Sequence, residues 1–183
     1  REGGTGRLQA GDGPGAADPG KGFRECGYTR MCAGEEIELM DLDADEVEEI
    51  DIPGALSLHR IGIVASVRAR QGLVSIAWMR THGYTTISLC MKNLMGVIGP
   101  SSDRGTIHEP FPERITDLVS ALRPGLSVID GTTGLDEGVS RTPVPLDLTV
   151  AGWDFVAVDA VGTAVMGFDP MEIIYIRLAH ERG

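Results

Sequence analysis

Apolar and polar residues alternate along much of the chain in patterns that predict strands separated by helices. Residues 36–42 and 47–52 alternate apolar and acidic positions, which is typical of strands with one wet face. Residues 73–78 are a compact apolar run of the kind that a fully buried strand shows. Shorter strands are predicted at residues 6–10, 126–129 and 146–151.

Apolar residues at helical spacing predict five helices. The first long one is expected at residues 85–98, where Ile87, Met91, Leu94 and Ile98 recur every three or four positions. The other helices are predicted at residues 21–26, 112–123, 154–166 and 169–181. Residues 130–145, with three glycines and two prolines, are expected to form a loop. This order predicts one layered α/β domain over residues 1–183, with a mostly parallel or mixed sheet and helices packed on it.

Length and composition narrow the class of protein. A chain of 183 residues with 42% hydrophobic content suits one domain with a real core. Since it has no apolar run of roughly 18 residues and no leader pattern, we expect a soluble cytoplasmic protein without a membrane partner. The three cysteines (Cys26, Cys32 and Cys90) fit neither a disulfide framework nor metal-site spacing. We therefore expect free thiols and no iron–sulfur cluster in this chain.

The net charge of −11 is concentrated in one segment. Residues 35–51 contain ten acids and no base, so the rest of the chain holds seventeen acids against sixteen bases. Residues 52–102 contain no acid, but they include Arg80, His82 and Lys92. Two interpretations stay open: the two segments neutralise each other, or the basic one forms a cleft for a small anion. Nucleic acid is not expected as a partner, because an acidic surface opposes a phosphate backbone.

Lys92 is the most informative single residue, because it interrupts a segment that is otherwise apolar. At helical spacing, Thr85, Ser88, Lys92 and Gly96 form one narrow polar stripe, with Asn93 adjacent. Such a stripe can face a ligand cleft. Alternatively, Lys92 extends past the core to water or pairs with a buried aspartate.

Three aspartates complete the set of candidate residues. Asp159 interrupts an apolar helix, so it is expected either to serve a ligand site or to bind loop backbone amides. Asp12 and Asp130 each follow a predicted strand, at the loop entrances where α/β sheets collect ligands.

The residues around Lys92 also carry a family resemblance. Residues 80–85 (Arg-Thr-His-Gly-Tyr-Thr) and 91–96 (Met-Lys-Asn-Leu-Met-Gly) resemble the Lys-Thr-His and Lys-Asn-Leu signature of the "domain of unknown function 362" family. Further matching pieces are Gly11-Asp12-Gly13, Val128-Ile129-Asp130-Gly131 and the segments 156–160 and 167–170. Arg80 stands where relatives have lysine, and it cannot act as a base near neutral pH. Some relatives are labelled iron–sulfur proteins.

The resemblance also implies that a strand with a Lys-Pro-Asn motif and a helix precede Arg1 in relatives. We therefore expect a fragment whose sheet has an exposed strand edge or apolar patch. A second copy in a homodimer, or the missing segment itself, would cover that edge.

Two functional hypotheses follow. In the first, an enzyme-like domain binds a small anion or acidic cofactor at the strand ends, with or without a divalent cation; the cofactor is not identified. His82, Lys92 and Asp159 are the candidate catalytic residues, and Asp12, Arg80, Thr81, Asn93 and Asp130 are the candidate ligand-binding residues. In the second, a non-catalytic module docks a ferredoxin-type redox partner through residues 35–51.

Overall fold

The computed structural model describes residues 6–13, 18–99, 104–137 and 141–183. Within these ranges the strands are β1 (Gln9–Asp12), β2 (Glu38–Asp41), β3 (Val47–Asp51), β4 (Arg60–Val64), β5 (Val74–His82), β6 (Thr86–Ser88), β7 (Leu126–Asp136) and β8 (Thr142–Gly152). The helices are α1 (Pro19–Glu25), α2 (Tyr28–Glu35), α3 (Ala65–Arg68), α4 (Cys90–Asn93), α5 (Phe111–Leu122), α6 (Phe155–Val165) and α7 (Ile174–Arg182). Short 3₁₀ turns lie at Leu94–Val97, Gly105–His108 and Pro170–Glu172.

The strands form one mixed four-stranded sheet and two strand pairs. The large sheet has the order β6-β5-β7-β8, in which β5 and β7 are parallel and the other neighbours antiparallel. β1 pairs with β2 in parallel, and β3 pairs with β4 antiparallel. Because α6 packs on β7 and β8, and α4 packs on β5, the predicted α/β class with a mixed sheet is confirmed. The extent of the domain over residues 1–183 stays a prediction.

Two predicted helices are confirmed, one of them with its predicted N-cap. α5 ends before Pro124 and buries Ile115, Leu118 and Val119 completely. α6 begins after Asp154, whose Oδ1 accepts hydrogen bonds from the backbone N–H groups of residues 156 and 157 at 2.9 and 3.0 Å. None of the described helices is long and apolar enough to cross a membrane.

The apolar run at residues 73–78 is buried on one face only, so the prediction of a fully buried strand is wrong. Along β5, Ser75, Ala77 and Met79 are buried, whereas Val74, Ile76 and Trp78 are 51%, 65% and 48% exposed. Since a strand directs successive side chains to opposite faces, the helices cover one side of β5 and leave an apolar patch on the other. A homodimer or a further segment over this patch stays a prediction.

The predicted loop at residues 130–145 is also wrong, because β7 and β8 extend into it as a hairpin. Gly131 makes the close pairing feasible, since a Cβ there would lie 2.7 Å from Cδ1 of Leu148. Pro143 and Pro145 fit because β8 is an edge strand and its outer N–H groups need no partner strand. Residues 138–140 lie outside the described residues.

The helix predicted at residues 85–98 is wrong in its first half. The Nδ1 atom of His82 accepts the backbone N–H groups of Tyr84 and Thr85 at 3.2 and 3.3 Å, and this turn reverses the chain. β6 then pairs with β5, so that Ser88 lies opposite Arg80. Only α4 and the 3₁₀ turn after it remain helical, because pairing with β5 overrides the helical spacing.

A buried carboxylate holds α4 in place. Asp159 on α6 is 0% exposed, and its two oxygens accept the backbone N–H groups of Cys90 and Met91, each at 2.9 Å. Burial raises the pKa of this carboxyl to about 7, although the two N–H groups act to lower it. Of the two roles expected for Asp159, the contacts are those of a residue that binds backbone amides.

We expect the stability gap between the native chain and Asp159→Asn to narrow as the pH rises. Between about pH 4 and 7, folded Asp159 retains a proton that the unfolded chain releases. Its contribution to the free energy of unfolding therefore falls with pH, by at most about 1.4 kcal/mol per pH unit, and is constant above that window. The variant should be less stable at pH 5, because its amide NH₂ faces a backbone donor.

Urea unfolding of both proteins at pH 5, 6, 7 and 8 measures this gap. A gap that is constant or grows with pH would contradict the raised pKa of Asp159.

Candidate functional site

A cleft of about 230 Å³ opens beside β5, just past the end of β6. Its walls come from β5, from α4 with the following 3₁₀ turn, and from the end of β1. Four predicted site residues line it: Asp12, Arg80, Lys92 and Asn93. Ser88 and Gly96 of the predicted stripe line it as well, whereas Thr85 is buried outside and donates its hydroxyl to the carbonyl of Ile87.

Lys92 brings a positive charge that the surrounding protein does not balance. Its side chain is half-buried, and within the described part of the chain its ammonium has neither a hydrogen bond nor an ion pair. Burial and then the charge of Arg80 lower the pKa of Lys92, while Glu137 acts in the opposite direction. Lys92 does not contact Asp159, whose oxygens are bound to backbone N–H groups.

Arg80 lies on the same side of the cleft and already has a counter-ion. Its guanidinium forms an ion pair with Glu137, and both side chains are partly buried. The hydroxyl of Thr81 is used within the protein: its Oγ1 donates to Asp136 at 2.9 Å and accepts the backbone N–H of Glu137 at 2.7 Å. Thr81 therefore does not line the cleft, but it fixes the backbone of the residue that binds Arg80.

His82 lies next to the cleft with a defined tautomer. Because its Nδ1 accepts two backbone N–H groups, the neutral ring carries its proton on Nε2. Burial lowers the pKa of His82, and the charges of Lys92 and Arg80 lower it further. His82 is thus a neutral hydrogen-bond donor at pH 7, close enough to both cations to be affected by their charge.

The facing wall is built around Arg104, a residue that the sequence analysis did not identify. Arg104 donates to the carbonyl oxygens of Gly13 at 2.7 Å and Gly96 at 3.2 Å, and it forms an ion pair with Asp43. These bonds attach the end of β1 to the 3₁₀ turn that follows Lys92. Asp12 lies at this wall and is exposed. Partial desolvation raises the pKa of its carboxyl, while the hydrogen bond from the Gly13 N–H and the charge of Arg104 act to lower it.

Asn93 attaches α4 to β5. Its Nδ2 donates to Oγ of Ser75 at 3.3 Å and to the carbonyl of Ile76 at 3.1 Å. The Ser75 hydroxyl in turn donates to the carbonyl of Cys90 at 3.1 Å. The amide hydrogens of Asn93 are therefore used within the protein, which makes it a positioning residue for Lys92.

The remaining predicted residues do not line the cleft. Asp130 is exposed on β7 and accepts the N–H of Thr132 at 2.9 Å. Asp159 lies beneath α4 and does not line the cleft. Burial, with the charge of Asp159, raises the pKa of the Cys90 thiol to about 12, so this cysteine is protonated at neutral pH. Among the described residues, no group of three or more His, Cys, Asp or Glu side chains is placed to hold a metal ion.

We expect Gly13→Ala to destabilise the protein and to widen the cleft. A Cβ at residue 13 would overlap the carbonyl oxygen of Gly96 and the guanidinium of Arg104, so β1 would have to separate from the 3₁₀ turn. The loss should be about 1–3 kcal/mol in the free energy of unfolding. Gly22→Ala is the matched control, because a Cβ on α1 meets nothing within 4 Å and alanine favours the helix. Equal urea midpoints for the two variants would contradict this packing.

Comparison with known proteins gives a family. Searches of the curated proteins and of the solved structures find no match to the chain. The family model described as "Domain of unknown function (DUF362)" matches residues 1–164, a range that includes every residue lining the cleft. The chain therefore belongs to the DUF362 family of domains of unknown function.

Proposed function

We propose that the cleft beside β5 binds a small carboxylate between the Lys92 ammonium and the Arg80 guanidinium. The observation that carries this proposal is the half-buried Lys92, which has no counter-ion in the described part of the chain. A charge removed from water without a partner costs free energy, and a bound anion recovers that cost through charge-assisted hydrogen bonds. The Nε2–H donor of His82 is available for a further hydrogen bond.

The dimensions and charge of the cleft favour a small, singly charged ligand. A volume of about 230 Å³ is below the roughly 300–1,000 Å³ of drug-sized ligand sites, which favours a ligand of a few heavy atoms. Asp12 on the facing wall and Glu137 beside Arg80 repel additional negative charge. A monoanionic carboxylate therefore fits better than a phosphate dianion. The charged side chains that line the cleft are two cations and one aspartate, which give no support for binding a divalent cation there.

The contacts of the acidic segment favour neutralisation over the alternative of a docking module. Arg60, from the basic segment, lies 3.0 Å from Asp51 and 3.9 Å from Glu49. Arg104 pairs with Asp43, and Asp45 accepts the N–H of Ser66 at 3.0 Å. These acids hold β3 and the preceding turn against their neighbours. The segment thus has a structural use, and no contact favours a redox partner there.

We expect Lys92→Met to abolish stabilisation by carboxylates without destabilising the free protein. Methionine retains the packing of the side chain and removes an unpaired charge, so the free energy of unfolding should stay within about 1 kcal/mol or rise. For the native chain, a carboxylate at ten times its Kd should add about 1.4 kcal/mol. That gain corresponds to an increase of about 3–6 °C in Tm. Thermal unfolding with acetate, propionate, pyruvate and phosphate, at constant ionic strength, measures both effects.

Lys21→Met is the matched control, because Lys21 is exposed and pairs only with Glu25, one helical turn away at 3.8 Å. This variant should keep the full response to carboxylates. If no carboxylate stabilises the native chain, or if Lys92→Met responds as Lys21→Met does, the proposed site is wrong.

A further inference from the structure

We infer that Lys92 is a reactive amine that forms an imine with a small 2-oxo acid whose carboxylate is bound by Arg80. This inference rests on the proposed carboxylate site and specifies its ligand class. It is based on three groups that line one cleft: an amine without a partner at Lys92, a guanidinium at Arg80 and a carboxyl at Asp12 on the facing wall.

The surroundings of Lys92 increase the share of neutral amine. A lysine attacks a carbonyl only after it loses its proton, and partial burial beside another cation promotes that loss. Both conditions apply to Lys92, whose pKa is lowered by burial and by Arg80. No carboxylate forms an ion pair with Lys92 in the described part of the chain, and the charge of Glu137 opposes the shift less than burial and Arg80 promote it.

Arg80 and Lys92 have complementary abilities. A guanidinium stays charged and binds a carboxylate through two parallel hydrogen bonds, whereas a lysine amine can become a nucleophile. Arg80 is fixed by Glu137, and α4 with Lys92 is fixed by Asp159 and Asn93. A ligand whose carboxylate meets Arg80 can therefore present a neighbouring carbonyl carbon to Lys92. A 2-oxo acid has these two groups on adjacent carbons.

The reaction balances with the groups that line the cleft. The Lys92 nitrogen bonds to the carbonyl carbon, the C=O π electrons move to oxygen, and a proton passes from nitrogen to that oxygen. The resulting carbinolamine loses its hydroxyl together with a proton as water, which leaves a C=N bond. Asp12 lines the same cleft, and its carboxyl, whose pKa is raised by desolvation, is the group that gives that proton. The carboxyl recovers the proton when water returns to hydrolyse the imine.

Reductive trapping tests this inference with a built-in control. The chain contains only two lysines, Lys21 and Lys92. With pyruvate and sodium cyanoborohydride, hydride adds to the imine carbon and leaves a stable carboxyethyl group on the amine. Peptide mass spectrometry should find Lys92 labelled at least tenfold faster than Lys21 at pH 7.

Two further experiments distinguish imine formation at Lys92 from simple binding at the proposed carboxylate site. Lys92→Arg retains the positive charge but cannot form an imine, so it should keep stabilisation by propionate and lose the label at residue 92. Propanal has a carbonyl but no carboxylate, so it should show a much smaller preference for Lys92 over Lys21 than pyruvate does. If propionate stabilises the native chain but pyruvate labels both lysines at equal rates, the imine is refuted and the carboxylate site stands.

If propanal prefers Lys92 over Lys21 as strongly as pyruvate does, the assignment to 2-oxo acids is wrong. If no carboxylate stabilises the chain and Lys92 is not labelled selectively, both proposals fail.

Discussion

The position of Lys92 depends on the buried carboxylate of Asp159. A helix as short as α4 has few internal hydrogen bonds, so its orientation must come from contacts with the rest of the protein. Asp159 supplies two of these contacts at the first turn, through Cys90 and Met91. Asn93 supplies the others through Ser75 and Ile76 on β5. The lysine between these anchors is held at the edge of the sheet, although α4 has little stability of its own.

The sequence predicts the features that local chemistry decides. The apolar spacing of α5 between two prolines and the Asp154 cap of α6 are sufficient to locate both helices, and the motif around residues 80–96 identifies the family. The polar stripe is predicted on the assumption of one helix over residues 85–98, although the first half of this segment contains a strand. Ser88, Lys92 and Gly96 nevertheless line one cleft. Lys92 and Gly96, the last two residues of the stripe, lie on one face of α4 and the 3₁₀ turn. Ser88 reaches the same place because β6 ends beside Arg80.

The sequence does not predict the features that distant contacts decide. Arg104 bonds to Gly13 across 91 positions, and Arg80 pairs with Glu137 across 57, so no spacing rule connects either pair. The strand β4 and the helix α2 were also not predicted. The exposed face of β5 was missed for a related reason, because Val74, Ile76 and Trp78 have the composition of a core strand. Only the one-sided packing of the helices decides which face is covered.

The positions of the acids around the cleft explain why Lys92 has no counter-ion within the described part of the protein. Asp159 binds the first turn of α4, but its oxygens accept backbone N–H groups and it does not line the cleft. Glu137 is bound to Arg80, and its backbone is fixed by Thr81. Asp12 stands across the cleft, where the N–H of Gly13 and the charge of Arg104 act on its carboxyl. Each acid near the cleft thus has another partner, and a ligand is left to supply the counter-ion for Lys92.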